Sequence, residues 1–213
     1  MLNFVSKRTY REQGATLVEL MISISIGMVT VLGVASLVGM GVGVNGKLMT
    51  NSRLSEELKV VISLMERDIR RAGYNGATIL RVEDPENTVS AFSNSITISE
   101  YTGEAANSCI TFAYDANEDG TLDTGTDSEE YGYRLKDNAI EIRKNGAACD
   151  EDGWEDLTDS EVVKVTGLTF TSQTSTNNSI TRTEIAINLV GELDSDADRS
   201  RSYDVAFLVR SYD

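Results

Sequence analysis

The chain has no histidine, one proline, one tryptophan and two cysteines among its 213 residues. Without histidine, the Ser/His and Cys/His nucleophile pairs are excluded, and the commonest metal-ligating side chain is missing. Basic charge is also scarce: 19 Lys and Arg stand against 34 Asp and Glu, a net charge of −15. Phosphate binding demands clustered Lys and Arg. The one basic cluster beyond the first apolar run is Arg67, Arg70 and Arg71, interleaved with Glu66 and Asp68, so no direct contact with nucleic acid is expected. An enzyme built on carboxylates alone would need a clefted pair with raised pKa values. The Asp and Glu residues lie instead in polar, turn-like stretches and read as a solvated acidic surface. No catalytic residue is assigned, and an enzyme is not expected.

Charge is nearly absent from one long segment. Residues 15–44 carry a single charged side chain, Glu19, whereas acidic residues crowd the region after Glu83. A helix needs roughly 20 apolar residues to cross a bilayer, and the run from Ala15 to Val44 is long enough. Lys7, Arg8 and Arg11 precede it, which places the N-terminus in the cytoplasm and the remainder outside. A cleavable secretory signal has an apolar core of only about 7–15 residues before a small-residue cleavage site. "GVASLV" (33–38) offers such residues, but the run is too long and has a charge inside it. A plain anchor accounts for everything except Glu19. A carboxylate near the centre of a spanning helix costs about 2.5–3.5 kcal/mol, less near an end.

The residues around that carboxylate carry a resemblance. "GATLVELMISISIGM" (14–28) resembles the class III signal of type IV prepilins. In that family a short basic leader ends in Gly and a membrane peptidase cuts directly after it. The resemblance implies cleavage between Gly14 and Ala15, N-methylation of Ala15, and a role for Glu19, the fifth mature residue, in assembly. The family most often has Phe where Ala15 stands. Glu19 would neutralise the buried amino terminus of a neighbouring subunit. Two buried charges are tolerable only when paired, so such a pair would enforce register. Glu19 also suits the positive end of the helix dipole, so a plain capping role is the simpler alternative.

The segment "GMGVGVNG" (39–46) follows. Glycine costs about 1 kcal/mol in a helix interior relative to alanine, so a weak or hinged stretch is expected here, where pilin helices as a family loosen in filaments. Leu54, Leu58, Val61, Ile62, Met65 and Ile69 then recur at spacings of three and four. They predict an amphipathic helix whose apolar stripe packs on a sheet, with Gly73 as its stop. "RDIRRAGY" (67–74) resembles the end of the long helix in PilW-type minor pilins.

Past Tyr74, short β-like runs alternate with turns: 95–101, 109–115, 130–137, 139–145, 162–173, 180–193 and 202–212. Asp137-Asn138 suits a tight hairpin, and Pro85 reads as a loop residue. The expected organisation is a leader (1–14), a long helix (15–73) with its membrane and assembly segment at 15–44, and a β-rich head (74–213). The fold class is α+β, with one antiparallel sheet wrapped on the second half of the helix.

In the head, Cys109 and Cys149 permit one pairing, and disulfides persist outside the cytoplasm. Closing a loop of about 40 residues contributes about 4 kcal/mol in the chain-entropy account. Two free buried thiols are the alternative. "DANEDGTLD" (115–123) places Asp115, Asn117, Asp119, Gly120 and Asp123 at positions 1, 3, 5, 6 and 9 of an EF-hand-like loop, with the Thr121 carbonyl at position 7. Thr126 stands where the twelfth-position Glu belongs, with Asp127 or Glu129 as substitutes. A Ca²⁺ site is one reading and an acidic turn the other. No other cofactor is implied. Trp154 reads as a loop anchor over the core, with a partner contact as the alternative.

The resemblance implies a minor pilin of the type IV pilus, priming assembly or sitting at the tip. It would reside in the inner membrane and then in the fibre. Implied partners are the prepilin peptidase, other minor and major pilins, and the inner-membrane assembly platform. A J-type pseudopilin of type II secretion and an unprocessed, membrane-anchored periplasmic binding module are the alternatives.

Overall fold

A computed structural model describes residues 14–77, 90–177 and 180–209, without the side chains of residues 180 and 181. Pro85 and the basic residues of the leader lie outside the described residues. The chain divides into two compact units, one up to Met49 and one from Thr50 onward. Helix α1, Leu17–Ile69, contributes to both.

Up to Met49, α1 exposes its apolar side chains; Leu17, Val29, Leu32 and Leu37 are each at least 70% exposed. In the single chain the helix runs unbroken through residues 39–46, the stretch expected to be weak and to loosen in filaments. A helix tolerates isolated glycines at an energetic cost when its neighbouring residues keep the hydrogen-bond ladder.

From Thr50 onward, the six apolar positions read from the sequence are all buried: Leu54, Leu58, Val61, Ile62, Met65 and Ile69. Each contributes about 1.5–3 kcal/mol by leaving water. After Ile69 the chain turns, and Gly73 takes a positive φ of 80°, which L side chains avoid.

Among the described residues eight antiparallel strands follow: β1 (Thr97–Ser99), β2 (Cys109–Ala113), β3 (Glu130–Lys136), β4 (Ala139–Arg143), β5 (Trp154–Asp156), β6 (Val163–Asn177), β7 (Ile180–Leu193) and β8 (Asp196–Leu208). They form two sheets, β1-β2-β3-β4-β5 and β6-β7-β8, where one was expected. The β3–β4 turn is the expected one: Asp137 and Asn138 have φ of 50° and 63°, and Lys136 pairs with Ala139. Strand β8 starts at Asp196, earlier than the alternation suggested, because hydrogen bonding to β7 recruits the polar residues before Tyr203.

The core joins the helix stripe to both sheets. Ile110, Phe112, Tyr133 and Ile140 come from the first, and Val165, Leu168, Phe170, Ile187 and Leu189 from the second. Gly191 in β7 allows a close approach to α1: a Cβ there would lie 2.8 Å from Leu58 Cδ2. Tyr133 Oη donates to Asp68 Oδ2 at 2.7 Å, linking β3 to α1.

Candidate functional site

The first candidate is the start of α1. Glu19 N–H donates to Thr16 Oγ1 at 3.3 Å, so Thr16 caps the helix with Glu19 three residues on. The Glu19 carboxylate is exposed in the first turn and has no partner among the described residues. The next three hydroxyls, those of Ser23, Ser25 and Thr30, bond within the helix. Ser23 donates to the Glu19 carbonyl and Ser25 to the Met21 carbonyl, both at 2.8 Å; Thr30 donates to the Gly27 carbonyl at the same distance. A helix entering lipid must satisfy its polar groups internally, and Glu19 is the one charged group in residues 15–44. The helix is long and apolar enough to cross a membrane; residues 15–44 at 1.5 Å rise span about 45 Å, against about 30 Å of hydrocarbon.

The second candidate is the acidic loop after β2. Asp115 is wholly buried. Its Oδ2 accepts N–H bonds from Gly76 (2.8 Å) and Gly120 (2.9 Å), while its Oδ1 is buried without a hydrogen-bond partner among the described residues. Glu129 is 2% exposed. Its Oε1 accepts from Ala116 (2.6 Å) and Asn117 (3.3 Å), and its Oε2 from the Asp123 N–H (3.3 Å). Asn117 Nδ2 bridges Asp119 Oδ2 (3.1 Å) and Asp123 Oδ2 (2.9 Å). Thr121 N–H donates to Asp119 Oδ1 at 2.7 Å. The loop named from sequence is thus one structural unit, and of the two substitute acids Glu129 faces inward while Asp127 is exposed. Among the described residues, no three His, Cys, Asp or Glu side chains stand together as a metal-holding group.

Cys109 and Cys149 are joined in a disulfide with Cα atoms 6.2 Å apart. Nearby lies a cluster that the sequence did not reveal. Arg134, 1% exposed, donates from Nε to Glu141 Oε2 and from Nη1 to the Cys149 carbonyl, both at 2.5 Å, and to the Glu151 carbonyl at 2.9 Å. Its guanidinium lies against the rings of Tyr101 (4.8 Å) and Trp154 (4.6 Å). Trp154 is therefore a β5 residue that covers a paired charge, not a loop anchor over the apolar core. No local pattern marks Arg134, because a buried cation is made tolerable by partners distant in sequence. Burial lowers the pKa of Arg143, with Glu130 opposing the shift.

Residues 47–209 match the family described as prepilin peptidase-dependent protein B. The chain belongs to that family. Residues 9–35, which include the leader end and Glu19, match the prokaryotic N-terminal methylation motif. A prepilin peptidase-dependent protein B from Escherichia coli (strain K12) is 23% identical over 165 residues, covering 72% of this chain and 74% of its own length. No solved structure matches. The two matches bear out the pilin-like reading of residues 14–28, and a minor-pilin type of protein with it. The narrower PilW-type likeness rests on "RDIRRAGY" alone.

Proposed function

We propose that this chain is a minor pilin of the type IV pilus that primes assembly or forms part of the tip. Prepilin peptidase cuts between Gly14 and Ala15, and the new Ala15 amine is methylated. The name of the family supports the peptidase dependence. The observation that carries the proposal is the exposed Glu19 carboxylate, without a partner among the described residues, in the first turn of a helix whose segment up to Val44 holds no other charge. In a fibre of such helices, water is excluded and an isolated carboxylate is costly. The cationic amine of Ala15 on a neighbouring subunit neutralises it and sets axial register. The other partners are minor and major pilins and the inner-membrane assembly platform, with the head outside the cytoplasm.

Intact-mass measurement on protein from cells with and without prepilin peptidase tests the cut. Loss of residues 1–14 only when the peptidase is present is expected; retention of the leader in both overturns the proposal. Glu19→Val should still be processed but enter fibres at least tenfold less, and wild-type incorporation would remove the role of Glu19. Deleting the gene should cost surface pili. Lost protein secretion with normal pili would favour the J-type pseudopilin reading instead.

A further inference from the structure

We propose that the loop from Asp115 to Glu129 is a calcium site, with Asp115, Asn117, Asp119 and Asp123 as side-chain ligands and the Thr121 carbonyl beside them. The stretch 115–130 has seven carboxylates and no Lys or Arg. Charge of one sign at that density is self-repelling unless a cation enters. The buried Asp115 is the independent sign of a ligand. Its Oδ1 is buried and accepts no hydrogen bond among the described residues, an expensive condition for a carboxylate oxygen.

The way each acid divides its two oxygens supports the same conclusion. Asp115 Oδ2 is taken by the Gly76 and Gly120 amides, leaving Oδ1. Asp119 Oδ1 is taken by the Thr121 amide, and its Oδ2 meets only the Asn117 amino group, which also bonds Asp123 Oδ2. Backbone amides thus orient the carboxylates as outer partners orient metal ligands. The Asn117 amino group, a weak positive end, bridges two acids. A cation displaces it, and rotation of the amide gives up the bond that the Asn117 oxygen accepts from the Asp119 N–H (3.0 Å) and presents that oxygen to the ion. Glu129 holds three loop amides, so it shapes the loop as a positioning residue. Gly120, at φ 81°, makes the sharp turn, and a Cβ there would collide with Ala77.

The donors are all oxygen, which excludes the thiolate- and imidazole-seeking metals. A flexible mixture of carboxylate, amide and carbonyl suits the six to eight ligands of Ca²⁺ and not the strict octahedron of Mg²⁺. Ligands must close in on the ion, because the acids do not converge before binding. The inference does not depend on the pilus role.

The test uses the full chain in detergent micelles, stripped with chelator, then titrated calorimetrically with CaCl₂ and separately with MgCl₂. One Ca²⁺ per chain is expected, with a Kd of about 10⁻⁴–10⁻³ M as in extracellular modules and a thermal midpoint that rises with calcium. Asp119 and Asn117 are exposed. Asp119→Asn should weaken calcium binding at least tenfold while leaving the midpoint in chelator unchanged, which separates lost binding from lost folding. Three results would overturn the proposal: neither heat nor midpoint shift at about 10 mM calcium, ten times the weakest expected Kd; magnesium binding as tight as calcium; or wild-type affinity in both Asp119→Asn and Asp123→Asn.

Discussion

Tyr133 connects two elements through one hydroxyl, and its chemistry gives the head a pH limit. Burial raises its pKa most, and the hydrogen bond to Asp68 raises it further. A raised pKa means the folded protein keeps the phenolic proton longer than the unfolded chain. Below about pH 10, both states are protonated and the contribution is complete. Above about pH 10, the unfolded chain ionises first and stability falls. The denaturant midpoint should therefore be flat from about pH 7 to 9 and drop beyond about 10. Tyr133→Phe should reduce that slope, though Tyr114, raised chiefly by burial, keeps part of it. At neutral pH the same substitution should cost about 1.5–3 kcal/mol, the worth of one hydrogen bond to a carboxylate. A pH profile identical to wild type would refute the assignment.

At the scale of elements, α1 combines two kinds of helix in one run. Up to Met49 its apolar residues are exposed on every side, and from Leu54 a single stripe is buried. In the first part, glycines at 39, 41 and 43 are not required by packing within the chain: an added Cβ would meet nothing within 4 Å. Alanine there should stabilise the helix by about 1 kcal/mol per position. Amide hydrogen exchange over residues 39–46 in micelles should slow about fivefold for each Gly→Ala change. Unchanged exchange would show that the stretch is limited by something other than glycine. The strands depend on partners instead. Three-residue β5 is a strand only because it pairs with β4, Glu141 opposite Asp156 and Arg143 opposite Trp154.

At the scale of the whole molecule, the charge is partitioned along the chain: one charged residue in 15–44, and acid in excess beyond. That partition separates a lipid-facing segment from a water-facing head. The head is also closed covalently, since the disulfide ties the start of β2 to the loop before β5 across 40 residues. Replacing both cysteines by alanine should cost the head about 4 kcal/mol in the chain-entropy account, read as a lower denaturant midpoint. A midpoint within error of wild type would mean that the unfolded chain gains little freedom from losing the bridge.

What could be read directly from the chain was local. The stripe from Leu54 to Ile69, the stop at Gly73, the Asp137-Asn138 turn and the single carboxylate in an apolar helix follow from periodicity, backbone φ preference and the cost of charge in lipid. These properties belong to neighbours in sequence, so they survive without knowledge of the fold. The division into two sheets, the strand around Trp154, the burial of Arg134 and the inward turn of Glu129 rather than Asp127 were decided only by the tertiary structure. Each depends on partners far along the chain, because a β-ladder or a buried charge is stable only when its distant counterpart is in place.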